Sequence, residues 1–311
     1  AARKPLGDAL KKTPVSSCQR LGEASGGVDF WIKAESLQKS GSFKTRGALN
    51  RIRNTPKEEL GRGVITISAG NHAQGVAWAA AAAGVPATVL MLSTASKTKV
   101  AATRGYGAEV ILLDMTMGEA FEELKRQQEE KNLMLVHPFD DPLLIAGQGT
   151  VGLEIMEQVP DVDVIVCPIG GGGLISGVAT AAKAIKPSVR VYGVEPEGAA
   201  GMRNSWDAEK PVHLDSISTI ADGLSAPMAG ELTYRITREL LDDVIVIPDS
   251  DIANGLASLL SNAKLYSEPA GAAATGALLA RKVPVQEGET VVSILSGGNL
   301  DIPKLVEILS E

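Results

Sequence analysis

Cysteine, aromatic residues and long apolar runs are all scarce in this sequence, and each scarcity excludes a class of protein. Aromatic residues make up 4% of the chain, and two cysteines, Cys18 and Cys167, are too few for the disulfide framework of a secreted domain. No apolar run reaches the roughly 18 residues that a membrane-spanning helix needs. The opening stretch AARKPLGDALKKTP lacks the apolar segment of a signal peptide. We therefore expect a soluble, cytoplasmic protein with no membrane partner.

The balance of charge also limits the partners. The chain has 30 Lys and Arg residues against 37 Asp and Glu residues, a formal net charge of −7. Surfaces that bind nucleic acid carry clustered positive charge, so no nucleic-acid partner is expected. With 44% hydrophobic and 22% charged residues among 311, the chain can bury a substantial core.

Several catalytic motifs are missing. His137 and His213 have no metal-ligand partners at recognisable spacing, so no metal site is expected. The sequence contains neither the G-x-S-x-G turn of many hydrolases nor the G-K-[ST] ending of a P-loop. A hydrolase serine and a P-loop nucleotide site are therefore excluded.

Strand-like and helix-like runs alternate through most of the chain. The apolar, β-branched run at 63–68 (GVITIS) precedes an alanine-rich helical pattern, and the run at 290–299 (TVVSILSGGN) ends the series. Continuous apolar strands separated by helices are typical of parallel sheets covered on both faces. We predict an α/β fold with two doubly wound parallel-sheet domains: a small domain over 56–140 and a large domain formed by 1–55 with 141–311.

Four successive glycines, Gly170–Gly173, follow a strand-like run and open a helix-like one in CPIGGGGLISG. Backbone N–H groups there can converge on one anion, and the helix dipole favours negative charge. A flexible turn is the plain alternative. A dinucleotide site, with Glu195 as its ribose-binding acid, is another, but Ile175 and Ser176 stand where G-x-G-x-x-G needs its third glycine. The run predicts a site for a single phosphate.

Two further turns follow predicted strands. SAGNHAQG offers the side chains of Ser68, Asn71 and His72 beside the free N–H groups of a helix start, which suits a small carboxylate. Ordinary helix capping and a structural histidine are the alternatives. SGGN (296–299) ends the last strand, and ligands of doubly wound sheets collect at the carboxyl ends of strands.

Lys44 lies in SGSFKTRGALN (40–50), between a serine-glycine turn and a helix-like segment. A solvated surface lysine is the plain interpretation. Taken together with a site for one phosphate, a lysine in a packed turn indicates pyridoxal 5'-phosphate, whose aldehyde condenses with an amine. Burial lowers the pKa of an ammonium group and so frees the amine to condense or to act as a base.

The motifs SGSFKTRGALN, SAGNHAQG, AGQGT, GGGGLISG and SGGN together resemble those of the fold-type II pyridoxal-phosphate enzymes, in the same order. The chain is similar to their threonine/serine dehydratase and serine racemase branch from about Thr13 to Asp301. The resemblance implies a tryptophan-synthase-β-like architecture.

The resemblance also implies roles for individual residues. Lys44 would form the Schiff base, Asn71 would bond the 3'-oxygen of the cofactor ring, and Ser296 would face its pyridine nitrogen. The complete set implied to bind the cofactor is Phe43, Lys44, Asn71, Gly170, Gly171, Gly172, Gly173, Leu174 and Ser296. The set implied to bind the substrate carboxylate is Ser68, Asn71 and His72.

The implied reaction is removal of the α-proton by Lys44, followed by β-elimination of water from L-threonine or L-serine to a 2-oxo acid and ammonia. Serine racemase/dehydratase is the alternative. Racemases of this family carry a serine acid/base at the position of Ala69, which has no proton to exchange, so the dehydratase is favoured. Their cation site is matched by Glu195 and Ala199, but Gly201 replaces its acidic residue.

The resemblance further implies a homodimer or homotetramer that takes a small amino acid as substrate. The chain stops soon after SGGNLDIPKLVEILSE, as in short, catabolic threonine dehydratases, so feedback by isoleucine is not expected. A nucleotide-binding oxidoreductase, which would leave Lys44 without a role, and a catalytically silent binding protein remain the alternatives from other classes.

Overall fold

Two β-sheets organise the chain in the computed structural model, which describes residues 6–310. In spatial order, the strands of the larger sheet are β1 (Val15–Ser17), β2 (Asp29–Ala34), β10 (Thr290–Leu295), β7 (Val164–Pro168), β8 (Arg190–Pro196) and β9 (Asp243–Ile247). Those of the smaller sheet are β5 (Glu109–Leu113), β4 (Ala87–Leu92), β3 (Val64–Ile67) and β6 (Met134–Leu135). These strand pairs are parallel apart from the antiparallel pair of β1 and β2.

Helices connect the strands and cover the sheets. In chain order, they are α1 (Gln19–Ala24), α2 (Lys44–Arg53), α3 (Lys57–Leu60), α4 (Asn71–Ala83), α5 (Lys97–Gly105), α6 (Met117–Lys131), α7 (Pro142–Gln158), α8 (Gly173–Ile185), α9 (Gly201–Asp207), α10 (Glu231–Leu240), α11 (Asp249–Ser258), α12 (Pro269–Leu279) and α13 (Ile302–Ser310). A π-helical turn, Leu259–Ala263, directly follows α11.

Each sheet has an apolar core on both faces, because successive side chains of a strand point in opposite directions. In β7, Val164 and Val166 enter one core and Ile165 enters the other. Val64 and Ile65 of β3 divide in the same way between the two cores of the smaller sheet. Strands buried on both faces are apolar at most positions, which explains the nearly continuous apolar runs in the sequence. The predicted α/β fold with parallel sheets is confirmed.

The apolar pattern did not indicate strands β1 and β2. β1 has three residues, and β2 carries Lys33 in its DFWIKA run. Lys33 is nevertheless fully buried, because its Nζ donates to Glu154 at 2.6 Å and to Gln158 at 2.8 Å. A charge that is paired in this way can lie inside a protein, so a lysine in the sequence did not mark an exposed strand.

The two predicted domains, 56–140 and 1–55 with 141–311, stay a prediction, and their terminal residues 1–5 and 311 lie outside the described part of the chain. The four strands of the smaller sheet do lie within 56–140. Helix α2 packs with β3 and α4 in one core, where Leu49 is fully buried. This packing joins the segment that begins with Lys44 to the smaller sheet.

Candidate active site

Three of the predicted loops follow the carboxyl ends of parallel strands. Ser68 follows β3, Gly170 comes shortly after β7, and Ser296 follows β10. Strands β7 and β10 are paired in the larger sheet, so the last two loops begin close together. The β3 loop reaches them from the smaller sheet, because Nδ2 of Asn299 donates to Oδ1 of Asn71 at 2.7 Å.

The turn before Lys44 pairs with the SGGN turn. Ser42 forms an isolated antiparallel bridge with Gly297, and the N–H of Phe43 donates to the carbonyl oxygen of Ser296 at 3.1 Å. Gly41 has a φ of +73°, and a β-carbon there would lie 2.5 Å from Oδ1 of Asn299. Only glycine satisfies both conditions, because side chains disfavour this φ and the space is filled. The pairing fixes the position at which α2 begins.

Lys44 is the first residue of α2, and its amine points into the site. Nζ donates to the carbonyl oxygen of Pro138 at 2.9 Å and lies 5.2 Å from the centre of the Phe43 ring. Burial lowers the pKa of Lys44 to about 8, against the opposing attraction of the Glu268 carboxylate. About a tenth of the amine is therefore unprotonated at pH 7, far more than for an ordinary lysine.

The glycine run wraps closely around its neighbours. A β-carbon at Gly171 would lie 2.2 Å from the Phe139 ring, and one at Gly172, where φ is +90°, would lie 2.8 Å from Cβ of Thr233. Helix α8 begins at Gly173, so its first N–H groups lack acceptors within the helix. Bare backbone at a helix start suits a phosphate. Two further members of the predicted set are Gly170, which approaches the backbone of Leu224, and the buried Leu174.

The polar side chains of the SAGNHAQG turn form hydrogen bonds within the protein. Oγ of Ser68 accepts from the N–H of Gly70 at 3.2 Å, and Asn71 begins α4. Nε2 of His72 lies 2.9 Å from the carbonyl oxygen of Val136, which can only accept, so Nε2 carries the proton. Burial, and then the charge of Lys44, lower the pKa of His72 to about 3, so the ring is neutral. A carboxylate contact at position 72 would then come from the backbone N–H.

The sequence prediction missed four residues of the site. Pro138 accepts from Lys44, Phe139 packs against Gly171, and Glu268 and Asn299 bond the Asn71 amide. Glu268 precedes Pro269 at the start of α12, a pattern that indicates a helix start and nothing about a ligand. Pro138 and Phe139 had no sequence signal, because their partners are far away along the chain. Asn299 lies in the SGGN turn, which the sequence singled out without giving this residue a role.

A cavity of about 990 Å³ opens between the smaller sheet and the segment 213–227, beside the SAGNHAQG turn. Ser68, Ala69, Lys99 and Asp222 are among the residues that line it. Nζ of Lys99 and Oδ2 of Asp222 lie 3.6 Å apart, joining α5 to the larger-sheet side of the cavity. This space adjoins the predicted carboxylate turn and can admit a small amino acid.

The Glu195 side chain is committed to backbone groups. Its oxygens accept from the N–H groups of Met202 and Arg203 at 2.8 Å each, and burial raises the pKa of Glu195 to about 8. Within residues 6–310, no three His, Cys, Asp or Glu residues are grouped so as to hold a metal ion. In that same part of the chain, no helix is both long and apolar enough to cross a membrane.

Comparison with known proteins identifies the family. The family model described as "Pyridoxal-phosphate dependent enzyme" matches residues 6–297 of this chain. The chain belongs to this family. It is therefore an enzyme with pyridoxal phosphate as its cofactor, and the nucleotide-binding oxidoreductase is set aside.

Individual relatives indicate which branch of the family this chain is similar to. An L-threonine ammonia-lyase of Geobacter sulfurreducens is 46% identical over 285 residues, which cover 92% of this chain and 70% of the relative. The L-threonine dehydratase catabolic TdcB of Escherichia coli K12 is 40% identical, covering 99% of this chain and 93% of the relative. Among solved structures, maize serine racemase matches with a TM-score of 0.94 and 40% identity, over 99% of this chain and 94% of that one.

The described residues fit pyridoxal phosphate. Lys44 offers an amine of lowered pKa for the aldehyde. The glycine run lies at a helix start, which suits a phosphate, and β-carbons on these glycines would collide with neighbouring residues. Ser296, which is 4% exposed, places an uncharged hydroxyl at the end of β10. The donor set thus matches three polar groups of the cofactor, namely its aldehyde, phosphate and ring nitrogen.

Proposed function

We propose that this enzyme is a threonine/serine ammonia-lyase, which converts L-threonine and L-serine to a 2-oxo acid and ammonia. The observation that carries the proposal is the position of the Lys44 amine. This amine has a pKa of about 8, and it projects from the turn that pairs with SGGN. It donates to a backbone carbonyl next to Phe139, and the ring of Phe139 packs against the glycine run. Relatives with the names L-threonine ammonia-lyase and L-threonine dehydratase support the substrate.

The roles of the site residues are part of this proposal. Lys44 binds the cofactor covalently, the N–H groups of the glycine run hold its phosphate, and Phe43 lies beside its ring. Asn71 bonds the 3'-oxygen, and Ser296 faces the ring nitrogen. The SAGNHAQG turn, with Ser68, Asn71 and His72, binds the substrate carboxylate. Gly170, Gly171, Gly172, Gly173 and Leu174 form the phosphate site.

Bound pyridoxal phosphate supplies an aldehyde for amines and a ring that withdraws electrons from the α-carbon. With the cofactor bound, the unprotonated amine of Lys44 would remove the α-proton of the substrate. The α-proton and the β-hydroxyl would together be lost as water, and the released enamine, once rearranged to an imine, would be hydrolysed to the 2-oxo acid and ammonia. Ser296 favours this outcome over transamination, because a neutral hydroxyl does not hold the ring nitrogen protonated.

A serine racemase/dehydratase is the second candidate, since maize serine racemase has nearly the same fold at 40% identity. Racemisation needs a second acid/base on the face of the α-carbon opposite Lys44. Ala69 lines the cavity and occupies the position at which racemases of this family carry a serine, and its methyl group cannot donate a proton. The elimination reaction is therefore preferred. A homodimer or homotetramer, a cytoplasmic location and the two-domain division are further parts of the proposal.

The test is a product assay on the purified, yellow protein with L-threonine and with L-serine. We expect equal amounts of 2-oxo acid and ammonia, and little D-amino acid. D-Serine formed without 2-oxo acid would establish the racemase instead. If neither product appears with either substrate, the proposed reaction is wrong, although the cofactor assignment stands.

A further inference from the structure

The side-chain amide of Asn71 has a polar partner at each end. Nδ2 of Asn299 donates to Oδ1 of Asn71 at 2.7 Å, and Nδ2 of Asn71 donates to Oε1 of Glu268. These partners are 228 and 197 residues away along the chain. They come from the SGGN turn and from the start of α12, so the amide is held from the larger-sheet side.

The direction of these hydrogen bonds is determined at Ser40. Nδ2 of Asn299 also donates to the carbonyl oxygen of Ser40 at 2.7 Å, and a carbonyl oxygen can only accept. The NH2 group of Asn299 therefore faces both Ser40 and Asn71. Because that group donates, Oδ1 of Asn71 must face it, and Nδ2 of Asn71 must face Glu268. One orientation of the amide satisfies every contact, and the flipped orientation does not.

Glu268 is buried and closely packed at this position. A β-carbon at Gly297 would lie 2.3 Å from its Oε1, so the second residue of SGGN leaves just enough room for the carboxyl group. The charged groups that act on it are Lys99, Asp222 and Lys44. Burial raises the pKa of Glu268 to about 7, and the Asn71 hydrogen bond opposes this shift. In either protonation state, Glu268 retains an oxygen that can accept from Asn71.

We propose that Asn299 and Glu268 are positioning residues that hold the Asn71 amide with its remaining N–H toward the 3'-oxygen of the cofactor. The inference rests on the proposed position of Asn71 beside that oxygen. Nδ2 has two hydrogens, and Glu268 takes one of them. A flipped amide would present an oxygen lone pair to an oxygen that itself needs a donor, which is repulsive. Neither positioning residue needs to touch the cofactor.

Four variants test this orientation: Asn71→Ala, Glu268→Ala, Glu268→Gln and Asn299→Asp. Asn299→Asp keeps the shape of the side chain but replaces the donor, whereas Glu268→Gln keeps an acceptor oxygen. Asn204→Asp makes the same chemical change as Asn299→Asp at an exposed position of α9 and serves as its control. The readouts are the dissociation constant of pyridoxal phosphate, from equilibrium dialysis, and the position of the visible absorption band. Urea unfolding reports whether each variant is folded.

We expect Asn299→Asp and Glu268→Ala to weaken cofactor binding about tenfold and to shift the visible band, as the loss of one hydrogen bond would. Glu268→Gln and Asn204→Asp should remain within about threefold of the unsubstituted enzyme. If Glu268→Ala does not fold, the contrast between Asn299→Asp and Glu268→Gln decides. Equal binding and an unshifted band in Asn299→Asp would overturn the inference. If Asn71→Ala itself changes neither readout, the position of Asn71 beside the cofactor is wrong.

Discussion

Nζ of Lys44 donates a hydrogen bond to the carbonyl oxygen of Pro138 at 2.9 Å, across 94 residues of sequence. The acceptor belongs to the backbone, so the contact does not depend on the side chain at position 138. The next residue, Phe139, packs its ring against Gly171 of the glycine run. One short segment after β6 therefore holds the amine and supports the predicted phosphate site.

Attachment of the cofactor to Lys44 should depend on pH. The unprotonated amine is the form that reacts with an aldehyde, and the pKa of Lys44 is about 8. The rate at which yellow absorbance appears, after pyridoxal phosphate is added to cofactor-free protein, should rise with pH, reach half of its maximum at about pH 8, and level off about one pH unit higher. Lys44→Ala should give no borohydride-stable label. Lys39→Ala, an exposed lysine of the same turn, should label normally.

Gly171→Ala should damage the phosphate site. The new β-carbon would lie 2.2 Å from the Phe139 ring, and such overpacking costs about 1–3 kcal/mol. Urea unfolding should show this loss, and equilibrium dialysis should show weaker binding of pyridoxal phosphate. Gly118→Ala is the control, because a β-carbon at that position in α6 meets nothing within 4 Å. Normal stability and cofactor binding in Gly171→Ala would contradict the packing described for Phe139.

Ala69→Ser should introduce racemase activity. A hydroxyl at position 69 supplies the exchangeable proton that the methyl group lacks, so D-serine formation from L-serine should increase relative to 2-oxo acid formation. Chiral analysis of the remaining serine measures the ratio. Ala69→Gly alters the size of the residue without adding a proton donor, and D-serine should not increase in that variant. An unchanged product ratio in Ala69→Ser would show that position 69 does not decide between the two reactions.

Arg46→Met should strongly destabilise the protein. Arg46 is buried and bonds both carboxylate oxygens of Glu35 at 2.7 Å and those of Glu154 at 2.6 and 2.9 Å. Removing one partner from a buried ion cluster leaves uncompensated charge, which costs about 3–5 kcal/mol. Urea unfolding measures the change. Arg126→Met removes an arginine from an exposed pair on α6 and should have little effect.

Acid should destabilise the protein through His72. Its folded-state pKa is about 3, against an ordinary 6.5, so only the unfolded state gains a proton as the pH falls between these values. The contribution to the free energy of unfolding is therefore intact above about pH 6.5 and falls by roughly 1.4 kcal/mol per pH unit below it. Urea unfolding at a series of pH values should show a shallower slope for His72→Gln.

The fold was predictable from the sequence where burial repeats along one strand or helix. β7 is apolar at every position, and β10 at every position but Thr290 and Ser293, because both of their faces are covered, so their class and parallel pairing could be inferred. β2 could not, because the charge of Lys33 is buried against Glu154, which lies 121 residues further along. When the ionic partner of a buried charged residue is far away in the sequence, that residue cannot be told from one on the surface.

The sequence by itself determined the features that depend on local chemistry. The glycine run, the turn before Lys44 and the apolar strands each follow from the residues within a few positions, and they indicated the cofactor. The tertiary structure alone decided which groups surround that chemistry. Pro138 bonds Lys44, Phe139 packs against Gly171, and Glu268 bonds Asn71, because the tertiary structure brings these distant segments into contact. No local sequence pattern predicts such a contact, since either residue could be present in the sequence without the other.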